Sequence, residues 1–163
     1  HEFFINNSLC FDLFYDTHIA GKRFLFSHAG VTSGWLSEIG YSLCGIDDIL
    51  MLLKEEYLEY CLDNSKTSIW EKLSYISGDR GGRYKDGSLV WADFFEHTDQ
   101  RNWLNDDAIT QVVGHTQLNF RPVRVLDRLF CLDCGEPFYI DGNGIIRSWR
   151  TNESIMNADN FVR

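Results

Sequence analysis

Phe24-Leu25-Phe26-Ser27-His28-Ala29-Gly30 and Gln111-Val112-Val113-Gly114-His115-Thr116 are the two stretches on which the reading of this chain turns. Each is an apolar run that closes on a histidine with glycine beside it, and each reads as a buried strand. A strand that ends this way sets an imidazole at the mouth of a sheet, and two such strands set two. Imidazole is a borderline ligand suited to manganese, iron or zinc, and it must be neutral to bind. Taken singly, a histidine at a strand end is more often a core residue with one nitrogen satisfied. The two taken together point to a metal site.

Working outward, Leu9, Leu13 and Phe14 behind a Ser8 cap predict a short helix over residues 8–16, ended by Gly21. Thr32 or Ser33 caps a short helix over 34–39, just beyond His28. Asp47 and Asp48 open the clearest helix, with Ile49, Leu50, Leu52, Leu53, Tyr57, Leu58 and Cys61 on one broad stripe and Glu55, Glu56 and Glu59 away from it. Ile69, Trp70, Leu73 and Tyr75 predict another over 68–76. Residues 77–87 follow, a flexible polar loop whose four glycines and two arginines suit a ligand-approaching segment. Short strands are expected over 109–113, 123–126, 129–133, 138–140 and 145–149. The last two flank Asp141-Gly142-Asn143-Gly144, a strong hairpin signal. Helices therefore dominate the middle and an antiparallel meander the end. No internal repeat, low-complexity tract or linker divides the chain, which reads as a single α/β unit.

With 163 residues, 44% of them hydrophobic, the chain can bury a core of ordinary single-domain size. The formal charge of -9, with no run of like charges, leaves no basic footprint for nucleic acid. It does not exclude phosphate, since bound cations dominate the field where they sit. No apolar run approaches the length of a membrane span, and the first residues lack the pattern of a targeting signal, so a soluble protein with no membrane partner is expected. Five cysteines, an odd number, do not make a disulfide scaffold, and they suggest a reducing, cytoplasmic location. Cys131-Leu132-Asp133-Cys134 has the spacing of a thiol-redox or zinc motif but lacks a second pair and follows an alternating stretch, which favours a buried strand. His18 and His97, beside Asp16 and Glu96, read as exposed or capping residues without a role. The chain opens on His1 rather than Met, and Glu2-Phe3-Phe4-Ile5 looks like the middle of a structured region, as though the chain starts inside a domain.

In order, His1-Glu2, His28-Ala29-Gly30 and Gly114-His115-Thr116 resemble the last three motifs of the calcineurin-like metallophosphoesterases, in particular the serine/threonine phosphoprotein phosphatases and their bacterial relatives. That family runs Gly-Asp-x-His-Gly, Gly-Asp-x-x-Asp-Arg-Gly, Gly-Asn-His-Glu or -Asp, His-Gly-Gly or His-Ala-Gly, and Gly-His-Thr. Gly87-Ser88-Leu89-Val90-Trp91-Ala92-Asp93 and Phe130-Cys131-Leu132-Asp133-Cys134-Gly135 are similar to two further segments of it. The first two motifs are not in the chain. Gly78-Asp79-Arg80-Gly81 comes after His28, the wrong order for the Asp-Arg-Gly motif.

The resemblance implies two packed mixed sheets flanked by helices, of which residues 1–163 supply the carboxyl-terminal half. It implies two divalent cations (manganese, iron or zinc), one of them liganded by His28 and His115, and His1 as the catalytic residue that protonates the leaving group. Glu2 would orient His1 or pair at the surface. The implied reaction removes phosphate from phosphoserine or phosphothreonine by attack of a metal-activated water. Two cations about 3.5 to 4 Å apart suit that reaction, because they stabilise charge on phosphate and lower the pKa of bound water. A leaving alkoxide needs a proton, and histidine has the pKa nearest neutrality for supplying one. Arg80 or Arg83 would offer the substrate phosphate a bidentate fork. The implied partners are a phosphoprotein or small phosphoester and the missing amino-terminal half, without which the chain alone would be inactive. Three alternatives stay open: a dinucleoside polyphosphate hydrolase, a non-catalytic fragment, and a zinc or thiol module centred on Cys131 and Cys134.

Overall fold

Phe24 and Leu25 are adjacent in a strand, so their side chains leave on opposite faces, and both are buried. A strand of that kind needs cover on both sides, and the rest of the fold supplies it. The computed structural model describes residues 11–99, 104, 108–118, 121–125 and 128–155, with the side chains of 123–125 left aside. Five strands form a mixed sheet: β1 (Phe14–Ile19), β2 (Lys22–Ser27), β3 (Ile109–Val113), β4 (Val123–Val125) and β5 (Leu129–Cys131). Their order is β1-β2-β3-β5-β4, with β2, β3 and β5 parallel and both edge strands antiparallel to their neighbours. A separate two-stranded antiparallel sheet joins β6 (Phe138–Ile140) to β7 (Ile146–Ser148).

Among the described residues, four α-helices lie between β2 and β3: α1 (Ser33–Glu38), α2 (Ile46–Leu62), α3 (Ser68–Leu73) and α4 (Phe94–Thr98). On one face, Leu25 and Ile109 pack with Val31, Trp35, Leu36, Leu53, Ile69 and Leu73 from the helical crossover. On the other, Phe24, Val112 and Phe130 pack with Ile146 and Ile155, and the β6-β7 hairpin closes over them. Val113, Leu129, Cys131 and Phe94 form a third, smaller cluster. Burial on both faces explains why the central strands are apolar without alternation. No helix among the described residues is long and apolar enough to cross a membrane.

The mixed α/β class is therefore as expected, and so are β2, β3, the cap and extent of α1 to within a residue or two, the acidic first turn of α2, which starts at Ile46 behind Gly45, and the terminal hairpin. Thr32 caps α1 by accepting from Trp35 N. In the hairpin turn Asp141 accepts from the backbone of Asn143 and Ile145, and Gly144 takes a φ of 70°. Four expectations fail.

Phe14 to Asp16 belong to a strand rather than a helix, and residues 8–10 lie outside the described residues. Ala20 and Gly21, both at positive φ, make the two-residue turn that a right-twisted hairpin favours, so Gly21 turns a hairpin instead of ending a helix. Helix α3 stops at Leu73 rather than Ile76, and the residues after it join the loop that follows, with Tyr75 O accepting from Ser88 N and Ile76 O from Tyr84 N. Residues 77–87 are a closed loop rather than a loose one: Gly78 N bonds to Tyr84 O and Gly82 N to Ser77 O around a short 3-10 turn, Gly78–Arg80. The end of the chain is not a meander, since β3 and β5, buried on both faces, pair in parallel and β4 takes the edge.

Candidate functional site

Parallel pairing of β2 with β3 sets Ser27 opposite Val113, so the residues that leave the two strands emerge side by side. Crevices beyond the carboxyl ends of parallel strands are where open α/β sheets bind ligands. Gly114 N donates to His28 O at 2.9 Å, tying the two exits together. His28 and His115, 87 residues apart, face each other there, with His115 Nδ1 2.7 Å from His28 Nε2 and the ring planes inclined at 64°. The distance is that of a hydrogen bond in which one ring donates its proton to the other. Remove that proton, and two lone pairs converge.

The pair fits a metal ion. Two nitrogens bound to one ion at about 2.1 Å lie roughly 3.0 Å apart at a right angle and roughly 3.4 Å apart at the tetrahedral angle, so the rings would have to separate by roughly 0.3 to 0.7 Å to hold one. His115 holds a φ of 64°, a left-handed conformation that a residue with a side chain rarely adopts. Its pKa is lowered by burial and then by the charges of Arg80 and His28, against the opposing pull of Asp93 and Asp133, which keeps the ring in the neutral form that binds metals. His115 Nε2 is buried and has no hydrogen-bond partner among the described residues. Neither is there a group of three or more His, Cys, Asp or Glu side chains around one point among them. An ion on this pair would draw its remaining ligands from elsewhere.

The surrounding loops are braced by groups of both charges. Asp93 caps α4 by accepting from Phe95 N, and Glu96 answers by accepting from Asp93 N. Arg80 Nε lies 2.8 Å from Asp93 Oδ2, a close ion pair whose N–H points too obliquely for a hydrogen bond. Arg80 Nη2 donates to Thr116 Oγ1 at 2.8 Å, one residue after His115. Of the two arginines expected at phosphate, Arg80 is thus brought beside the histidine pair. Arg83 is exposed, lies over the Tyr84 ring, and makes no described contact with these loops. His1 and Glu2 fall outside the described residues. Trp91, partly exposed, stands edge-on to His115 at 5.8 Å between ring centroids.

Two contributors escape a sequence reading. Gln111 reaches from β3 to clamp Val31, accepting from its N–H at 2.7 Å and donating to its carbonyl at 2.9 Å. A glutamine inside an apolar strand is a buried polar group that must find partners, and that was its signal. His97, expected to be exposed or capping, is buried on α4 with Nε2 2.9 Å from Ala29 O. Asp93-Phe94-Phe95-Glu96 has capping-box spacing and could have announced α4, and with it an inward-facing His97 one turn later. Burial pushes the His97 pKa down to about 4 despite the Ala29 carbonyl and the Asp93 charge, so the ring is neutral and Nε2 donates.

Cys131 is fully buried, and its thiol donates to Gly114 O at 3.6 Å and Thr116 O at 3.5 Å, the carbonyls on either side of His115. Burial pushes this thiol up to about 11 and raises Cys134 as well. Both are free thiols. They support the loop by packing, as the strand reading of this segment expects. Compared with models of known protein families, with curated proteins and with solved structures, the chain matches none of them.

Proposed function

We propose that the protein is a metal-dependent phosphoester hydrolase of the calcineurin-like, serine/threonine phosphatase type, acting on phosphoserine or phosphothreonine. The observation that supports this reading is the convergence of His28 Nε2 and His115 Nδ1 at the carboxyl ends of two parallel strands. Those two atoms would hold one divalent cation. When bound, a pair of such cations stabilises charge on phosphate oxygens and lowers the pKa of water toward neutrality. The resemblance gives the second cation and the remaining ligands to the first two motifs of that family, which residues 1–163 do not carry.

The chain's own groups have separate tasks. His28 and His115 present their ring nitrogens to the ion, and burial together with the nearby Arg80 charge favours the neutral form of His115. Arg80, held by Asp93 and Thr116, is the fixed positive charge beside the pair and is assigned to the substrate phosphate. Arg83 is retained only as a weaker candidate for that task. His1 is assigned the leaving-group proton. Water reaches the pair, since His28 is exposed, which a hydrolase requires.

The test is hydrolysis of p-nitrophenyl phosphate in manganese by the intact protein, with metal content measured alongside. His28→Ala and His115→Ala should each abolish activity and lower bound manganese, whereas His18→Ala, an exposed change on β1, should do neither. Full activity in either of the first two variants would refute the proposal.

A further inference from the structure

We infer that His97 is a positioning residue for His28: by donating from Nε2 to the Ala29 carbonyl it fixes the backbone from which the His28 ring is aimed. The inference rests on reading His28 and His115 as ligands of one ion. It starts from the backbone of residues 28–31, which is held group by group. His28 O accepts from Gly114 N, Ala29 N donates to Leu89 O at 2.8 Å, and Gln111 takes both polar groups of Val31. Ala29 O has no backbone donor among these contacts. Its partner is the His97 ring, at 2.9 Å.

The fit is close enough to dictate the sequence on the other side. A Cβ on Gly30 would lie 2.6 Å from both Cε1 and Nε2 of His97, and Gly30 has a φ of 93°. Only glycine leaves room for the ring under this turn. On its own side His97 is fixed by α4, whose start is locked by the Asp93 and Glu96 capping box and whose end is closed by Thr98 Oγ1 donating to Phe95 O. The ring is therefore a rigid prop between α4 and the residue that follows His28. Without its donor the buried Ala29 carbonyl loses its partner, and the peptide is free to rotate toward another. A rotation there redirects His28 while leaving the core unchanged.

Two variants separate the donor from the bulk. The amide nitrogen of glutamine reaches about as far as histidine Nε2, whereas that of asparagine stops near Nδ1, and both lose the ring equally. Manganese affinity of the intact protein is measured by titration calorimetry for the wild type, His28→Ala, His97→Gln and His97→Asn. His28→Ala should lose binding. His97→Asn should bind about tenfold more weakly, the scale for groups that orient a ligand from behind, and His97→Gln should stay within about threefold of the wild type. Equal affinities for the two His97 variants would overturn the inference, and unchanged binding by His28→Ala would overturn the metal reading beneath it. If neither His97 variant folds, nitrogen-15 spectra of the wild-type ring decide: the proton must be on Nε2 at neutral pH, and a proton on Nδ1 contradicts the inference.

Discussion

Two pairs of metal-binding residue types lie within a few residues of each other in space and could hardly differ more. Cys131 and Cys134 are separated by two residues in the chain, the spacing of a zinc or redox motif, yet both are buried and Cys131 spends its thiol on two carbonyls. His28 and His115 have no local motif, yet a parallel strand pair brings their nitrogens to 2.7 Å at an accessible sheet end. Proximity in sequence decides little about coordination. What counts is whether burial leaves the donor in its binding form, and it does so for imidazole, which binds when neutral, but not for thiol, which binds as the anion.

The contrast can be broken most forcefully at the histidines. His28→Ala or His115→Ala should lower p-nitrophenyl phosphate turnover by about three orders of magnitude or more, corresponding to the several kcal/mol that metal ions contribute to such reactions. Next, Arg80→Lys keeps a charge but loses the fork, and should reduce kcat/KM by about a hundredfold, while Arg83→Lys should stay within about twofold. Steady-state kinetics with inorganic phosphate as inhibitor checks both, since loss of the fork also weakens product inhibition.

Stability should sharpen the contrast through pH. His97 has a folded pKa of about 4 against an ordinary value of 6.5, so the unfolded chain binds the proton first as the medium is acidified. Its contribution is complete above pH 6.5 and is lost as pH falls toward 4, by up to roughly 3 kcal/mol. Urea unfolding at pH 7 and pH 4.5 measures this, and His97→Gln should flatten the dependence. The Asp93 charge favours the protonated ring and makes the shift smaller than burial alone would. The cysteine side should be indifferent over the same range, because the Cys131 thiol titrates near 11. Smallest of all, Cys134→Ser should leave metal content unchanged and cost about 1 kcal/mol at most.

Much of the fold was legible because its elements carry strong local signals. The apolar runs of β2 and β3, the stripe and acidic opening of α2 and the Asp-Gly-Asn-Gly turn each specify structure without help from distant residues. The helical reading of Phe14 to Asp16 failed for the opposite reason. Leu9, Leu13 and Phe14 have helical spacing, but Phe14 to Ile19 gain a full antiparallel register against β2, and tertiary pairing overrides a weak local preference. Parallel pairing of β3 with β5 was equally invisible, since strand order is a property of burial on both faces.

The site divides along the same line. His28 and His115 could be found because each closes an apolar strand. His97 was set aside because polar neighbours surround it in sequence, although the helix that carries it turns the ring inward onto Ala29. Arg80 and Arg83 were equivalent in sequence, two arginines in one glycine-rich loop, and were separated only by where the 3-10 turn Gly78–Arg80 aims the first of them.

Histidine labelled with nitrogen-15, in intact protein loaded with cadmium-113, tests the central claim most directly. Scalar coupling of one cadmium resonance to Nε2 of His28 and to Nδ1 of His115 is the predicted result. A cadmium signal coupled to neither ring, or to one of them alone, would contradict it.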